Sequence, residues 1–261
     1  MEPRKQQELQ HYDQLAKKWI KNRANDKWFT DAHGLQHNVY SSYHFLSDLL
    51  AKYCPQKRVL DFGCGTGIHS IEPVRLGASG VVGIDISRKS LAIARERAKR
   101  DGVAAKVNFL EMDCESLKFP DDSFDIVLDG SVFSSLNLNA ALMEIARVLK
   151  PDGKLIGIET LGHNPVINLK RRLNIATGSR TIWAANHIFK MSDFKLAEKY
   201  FQTIQAKFFH LTVLSAVPFN NMPGLKHAIK LLDKLDEQIL KLSLLKRYAF
   251  KTVFIFSKPK K

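Results

Sequence analysis

A chain of 261 residues with 45% hydrophobic content can bury one full core; it has neither the roughly 18-residue apolar run of a membrane span nor an apolar leader in residues 1–10, so the expected location is cytoplasmic. Its three cysteines, Cys54, Cys64 and Cys114, are too few and too scattered for a disulfide framework or a four-ligand zinc site, and read as reduced thiols with no metal expected. The net charge of +14 is lopsided, with +13 in residues 161–261; this fits attraction for phosphates, acidic small molecules or anionic lipid heads, or equally a lysine-rich solvated surface.

Leu9, Tyr12, Leu15, Ala16 and Trp19 recur at three- and four-residue steps and predict an N-terminal helix. A second helix is predicted over residues 39–53, after a loop holding His33 and His37 and before a stop at Cys54-Pro55. Residues 1–56 therefore read as a helical N-terminal cap. From Arg58 the pattern changes. Strands are predicted at 59–62, 81–84, 107–111, 124–128 and 154–159, alternating with helices at 67–75, 90–100 and 139–149. The last helix closes at a predicted turn, Lys150-Pro151-Asp152-Gly153. This alternation predicts an α/β fold with a doubly wound, mostly parallel sheet, whose core covers residues 57–160.

Residues 161–191 lack a clear period but hold His163, Asn164, Arg171, Arg172, Arg180, Trp183 and His187, and read as an inserted substrate cap. Ser192-Asp193 predicts the start of a helix running to about Phe201, followed by a strand over 205–214. Leu225, Ile229, Leu232, Leu235, Ile239 and Leu242 form one stripe of an amphipathic helix predicted over 224–248. A final strand over 249–257 brings the sheet to seven, the last two pairing as an antiparallel edge.

Asp61-Phe62-Gly63-Cys64-Gly65-Thr66-Gly67 follows an apolar strand and opens a helix, so its glycines allow a tight turn and close backbone approach to a ligand. The spacing Gly-x-Gly-x-Gly differs from the dinucleotide fingerprint, whose later glycine position is Ile68 here. Asp85, in Gly83-Ile84-Asp85-Ile86, falls at the carboxyl end of the next strand, where a carboxylate can accept both hydroxyls of a ribose. The same carboxylate could instead serve the dipole of the helix that follows. Glu111-Met112-Asp113-Cys114 ends the third strand, where an acid and a backbone N–H could hold an adenine edge; alone, it reads equally well as a surface turn.

In order, the strings Val-Leu-Asp-Phe-Gly-Cys-Gly-Thr-Gly, Val-Gly-Ile-Asp-Ile-Ser, Phe-Asp-Ile-Val-Leu and Glu-Ile-Ala-Arg-Val-Leu-Lys-Pro-Asp-Gly-Lys resemble the class I S-adenosylmethionine-dependent methyltransferases over residues 57–160. The resemblance implies that S-adenosyl-L-methionine is the cofactor. It implies that Asp61 and the backbone around Gly63 and Gly65 hold the methionine portion, within the loop that also includes Cys64, Thr66 and Gly67. By the same resemblance Asp85 takes the ribose, Ile86 packs on the adenine, Asp113 and Cys114 reach its amino edge, and Asp129 with Gly130 lines the transfer site. It also implies a reversed last strand.

A sulfonium is an activated donor, so catalysis needs mainly an aligned nucleophile and the exclusion of water; a base is required only for a protonated acceptor. Candidate bases are His163, His187 and Glu159, with His33 or His37 behind them. After the fourth strand the chain reads Asp129-Gly130-Ser131-Val132, without the Asn-Pro-Pro-Tyr type of string of nucleic-acid amino-methyltransferases. Ser134-Ser135 stands where many small-molecule relatives carry a histidine pair. The leading reading is methyl transfer to an O, N or C nucleophile of a small or lipid-like acceptor carrying an anionic or hydroxyl group. RNA methylation, supported by the basic segment, is the alternative; a non-catalytic S-adenosylmethionine-binding protein is a third reading. Lys226, Lys230, Lys234, Lys241, Lys246 and Arg247 around the 224–248 stripe also suit peripheral membrane contact. The sequence carries no signal for oligomeric state.

Overall fold

The computed structural model describes residues 1–21, 41–176, 180–219 and 225–261. The predicted His33 and His37 lie outside the described residues. Seven strands form one sheet: β1 (Arg58–Phe62), β2 (Gly80–Asp85), β3 (Val107–Glu111), β4 (Phe124–Asp129), β5 (Leu149–Thr160), β6 (Phe201–Phe209) and β7 (Lys251–Pro259). Their order is β3-β2-β1-β4-β5-β7-β6. The first five pair in parallel, and β7 runs antiparallel to both β5 and β6.

The central strands are apolar on both faces because helices cover both. Leu60, Phe62, Val127, Leu155, Phe254 and Phe256 belong to one core. Their alternates Val59, Val81, Ile126, Leu128, Ile156 and Val253 belong to the other. The helices are α1 (Pro3–Lys21), α2 (Ser41–Tyr53), α3 (Ile68–Arg75), α4 (Arg88–Arg100), α5 (Leu138–Val148), α6 (Pro165–Ala176), α7 (Ile182–Asn186), α8 (Met191–Ala197), α9 (Leu225–Ile239) and α10 (Ser243–Lys246). Side-chain oxygens open several of them: Ser87 accepts from Ser90 N at 3.1 Å, Asn137 from Ala140 N at 3.2 Å and Thr181 from Ala184 N at 3.1 Å. No helix among the described residues is long and apolar enough to cross a membrane.

The sheet carries the predicted reversed last strand, and the last two strands pair antiparallel as expected, with β7 between β5 and the edge strand β6. Lys150-Pro151-Asp152-Gly153 is a bulge within β5 rather than a turn before it. Phe124 pairs with Leu149 and Ile126 with Lys154, so the extra residues bow out between two anchored pairs.

The C-terminal elements shift from their predicted places. The helix expected to reach Phe201 stops at Ala197, because Phe201 is buried as the first residue of β6, opposite Pro259. The strand expected over 205–214 ends at Phe209. His210 turns the chain at φ 63°, and the buried Asp236 carboxylate accepts the N–H groups of Leu211 and Thr212 at 2.8 Å each and of Val213 at 3.3 Å. Those amides are withdrawn from the ladder. The helix expected over 224–248 is two. Leu225, Ile229 and Leu232 pack on the short helical segment Val213–Phe219, Leu240 turns into the main core, and Leu235 and Leu242 are exposed.

Asp61 joins β1 to α3. Its carboxylate, 1% exposed, accepts from Ser70 Oγ at 2.5 Å, and burial pushes its pKa up to about 7, against the opposing effect of that hydrogen bond. The folded chain therefore holds a proton here that the unfolded chain releases near pH 4. The stability this proton contributes is present at low pH and is lost as pH rises through about 7. Asp61→Asn should reduce the loss of unfolding free energy between pH 5 and pH 8 by on the order of 2 kcal/mol, measured by urea denaturation; an unchanged slope would show that Asp61 is ionised throughout.

Candidate functional site

The parallel strands end together, and a cavity of about 1060 Å³ lies against their carboxyl ends. In the turn after β1, Cys64, Gly65 and Thr66 line it together with Gly63. Gly65 stands at φ 51°, and a Cβ placed there would meet nothing within 4 Å, so this side of the turn is open backbone. Its N–H donates to Asp85 Oδ2 at 2.9 Å, and Ser87 N–H donates to Oδ1 at 2.8 Å. Burial raises the pKa of the Asp85 carboxyl, and these two N–H groups oppose it by favouring the ionised form. Asp85 and Ile86 share one stretch of wall. Gly67 and Asp61 are not on the wall; Gly67 begins α3 and Asp61 braces it from behind.

After β3, Asp113, Cys114 and Glu115 continue the wall. The acids are held by the first turn of α1: Lys5 Nζ lies 2.6 Å from Asp113 Oδ2, and Arg4 Nη2 lies 2.7 Å from Glu115. Lys89 pairs with Asp13 of α1 at 2.6 Å, and Ser87 Oγ donates to Asp13 at 2.7 Å. Glu8, Tyr12, Leu15, Ala16 and Trp19 then give α1 a face on the cavity. Of the N-terminal stripe read from the sequence, Tyr12, Leu15, Ala16 and Trp19 are on this face and Leu9 is not.

Beyond β4 the wall is Gly130, Ser131 and Val132. Gly130 is in close approach to the His69 ring, which reaches the cavity from the first turn of α3: a Cβ there would stand 2.4 Å from it, so a side chain at this position would displace the ring. Asp129 is wholly buried behind this loop, where Oδ1 accepts from Val132 N–H at 3.0 Å and Oδ2 has no hydrogen-bond partner. Its buried neighbour Glu159 accepts from Phe133 N–H at 2.8 Å and Thr160 N–H at 3.2 Å. Burial, with each acid beside the other, holds the pair above the usual carboxylate range.

The three predicted bases are not on the cavity wall. Glu159 is buried with both oxygens on backbone amides. His163 Nε2 accepts from Met191 N–H at 3.1 Å, so it serves the start of α8, and burial lowers its pKa. His187 is exposed, stacks on Trp183 with ring centroids 3.6 Å apart, and bonds the Trp183 carbonyl through Nδ1 at 2.9 Å. Among the described residues, the histidines on the wall are His69 and His210. His69 lay two residues past the glycine turn, on a helix already predicted to open at the site. His210 carried no signal, because the strand there was read as running through it. Ser134 and Ser135 are engaged as well: Arg180 Nη2 donates to Ser134 Oγ at 2.9 Å, and Tyr12 Oη lies 3.0 Å from Ser135 Oγ. Burial raises the Tyr12 pKa and keeps the phenol protonated.

Residues 60–157 match a family model described as a methyltransferase domain. The ubiquinone/menaquinone biosynthesis C-methyltransferase UbiE of Shewanella pealeana is 31% identical over 144 residues, which is 48% of this chain and 57% of that protein. The chain thus spans little more than half the length of this relative. Among solved structures, the YcgJ protein of Bacillus subtilis superimposes with a TM-score of 0.55 at 22% identity, over 84% of this chain and all of that one. A Haemonchus contortus phosphoethanolamine N-methyltransferase 2 in complex with S-adenosyl-L-methionine gives a TM-score of 0.58 at 18% identity, over 90% of this chain and 56% of that one. The architecture is shared across these proteins, and the sequence match falls on the strands and turns that build the cavity. Over residues 60–157 the chain is thus similar to methyltransferase domains, and its fold is the one found in these solved structures.

Proposed function

We propose that the chain is an S-adenosylmethionine-dependent methyltransferase acting on a small-molecule acceptor. One observation carries the reading: the Asp85 carboxylate is fixed by two backbone N–H groups on a cavity wall, next to a glycine turn whose open backbone leaves room for a ligand. The residues present fit the cofactor. Asp85 retains acceptor capacity for a ribose, Ile86 offers an apolar face to a base, and Asp113 with Cys114 offers an edge for its amino group. The turn from Gly63 to Thr66 takes the amino-acid arm, and Asp61 acts on it indirectly by fixing α3 against β1. Asp129 likewise acts on the wall from behind, holding the Gly130–Val132 loop through Val132 N–H.

The bound cofactor supplies an activated methyl group. The protein's part is to align the acceptor and exclude water. Helix α1 supplies much of the exclusion, since Tyr12, Leu15 and Trp19 close one side of the cavity. The residues we assign to the acceptor cap, 1–56 and 161–191, contribute α1, Tyr43 of α2, α6 and Arg180 to this enclosure. A small-molecule acceptor also agrees with UbiE of Shewanella pealeana, named for quinone biosynthesis. RNA is less favoured, because Lys170, Arg171, Arg180 and Lys251 of the basic segment line the cavity instead of forming an open track.

Asp85→Ala should weaken binding of S-adenosylhomocysteine by about tenfold to a hundredfold, the cost of lost charge-assisted hydrogen bonds. Gly65→Val should weaken it further by filling the turn. Calorimetry measures both, and unchanged affinity in Asp85→Ala would overturn the reading. With labelled S-adenosylmethionine and cell extract split into metabolite, lipid and RNA fractions, label should enter the metabolite or lipid fraction; label confined to RNA would reject a small-molecule acceptor.

A further inference from the structure

The cavity wall carries cations that have no ion-pair partner among the described residues. Arg171 of α6 is 6% exposed. Its Nη1 donates to Leu161 O at 2.9 Å and Asn168 Oδ1 at 2.8 Å, while Nη2 is buried with no partner. Arg180, just before α7, spends Nη2 on Ser134 Oγ at 2.9 Å and leaves Nε buried and unpartnered. Lys251, 8% exposed at the start of β7, donates to Tyr43 Oη at 2.7 Å and lies 4.2 Å from that ring's centroid. All three line the same cavity.

Two guanidinium groups close enough to repel one another are costly to bury. Glu159 is the acid behind them, but its oxygens are taken by the Phe133 and Thr160 amides. Among the described residues no carboxylate lies within ion-pair distance of Arg171, Arg180 or Lys251. Glu8, on the cavity wall, accepts from Thr181 Oγ1 through Oε1 and keeps Oε2 buried without a hydrogen-bond partner, outside ion-pair distance of the three cations. An anion entering the cavity would find a positive field already in place, with unpartnered guanidinium N–H groups in the residues of its wall. The surrounding wall is apolar, with Val166, Ile167, Leu214 and Phe250.

We propose that Arg171, Arg180 and Lys251 form the acceptor's anion subsite, so that the substrate class is a small molecule joining a carboxylate or phosphate to an apolar body. This deepens the methyltransferase reading and rests on it. Lys251 stands at the start of β7, separated from Asp85 on β2 by β1, β4 and β5 in the sheet.

The test uses the full chain saturated with S-adenosylhomocysteine in low-salt buffer, titrated calorimetrically with octyl phosphate, octanoate and octanol. At least one of the two anions should bind about tenfold or more tightly than octanol, and the tighter of the two identifies the acceptor's acidic group. Arg180→Gln should abolish that preference while leaving S-adenosylhomocysteine affinity within about twofold. Arg171→Lys, which keeps the charge and loses the fork, should reduce the preference in part. Equal binding of octanol by the unmodified protein would overturn the proposal without recourse to any variant. So would a tenfold loss of S-adenosylhomocysteine affinity in a folded Arg180→Gln protein, since the arginine would then serve the cofactor. Failure of the unmodified protein to bind S-adenosylhomocysteine would instead sink the methyltransferase reading itself.

Discussion

The in-register parallel pairing of β1 with β2 and β4 is the constraint from which the site follows. Phe62 pairs with Ile84 on one side and with Asp129 on the other, so three strands stop at one level. Each must then turn away from the edge within a few residues, and each turn leaves backbone N–H groups that the ladder no longer uses. Those amides set the chemistry. Gly65 and Ser87 direct theirs at Asp85, Val132 at Asp129, and Phe133 and Thr160 at Glu159. The carboxylates at this edge are stabilised by backbone, which a side-chain substitution elsewhere does not easily disturb.

That arrangement divides the cavity electrostatically. The β2 and β3 ends present Asp85, Asp113 and Glu115, partly balanced by Arg4 and Lys5. The β5 and β7 ends present Lys170, Arg171, Arg180 and Lys251, with the buried acids Asp129 and Glu159 behind the wall and above their usual pKa range. A nucleoside and an anionic acceptor make opposite demands on a site, donors facing one and acceptors facing the other. The strand order meets both by putting acidic ends on one side of β1 and basic additions on the other.

Legibility in the sequence tracked how local each signal was. The predicted strand 107–111 coincides with β3, β2 is longer than expected by one residue at each end and β4 by one residue at its C-terminal end, because an apolar run closed by glycine or an acid is read within ten residues. The turn from Gly63 to Gly67 was equally plain. What failed was non-local. Asp236 removes the amides of residues 211–213 from a strand more than twenty positions away, and no window around those residues contains that acid. Phe124 fixes Leu149 as the start of β5 before the bulge, which an isolated Pro-Asp-Gly cannot reveal. The histidines of the cap were singled out by type, whereas position decides: His163 was recruited to a helix start and His187 to a tryptophan face. Tyr12 reaches Ser135 across 123 residues, a pairing available only once α1 has docked.

The docking of α1 ties the N-terminal segment to the loops at the sheet's edge. Each contact of this helix is modest alone, because partly exposed ion pairs such as Lys89 with Asp13 contribute little. The pair between Arg4 and Glu115 is more enclosed, with side chains 13% and 7% exposed, and it sits beside the Lys5 and Asp113 pair on the same turn. Charges on one turn of helix act on one loop, so they cooperate in orienting the loop after β3, and the apolar face of Leu15, Ala16 and Trp19 is drawn over the glycine turn by the same docking. A helix held by many weak, simultaneous contacts can be tight when all are made and can release when a few are lost. An enclosed transfer site needs that property, since its wall must keep water out during the reaction and still let a bulky nucleoside enter and leave.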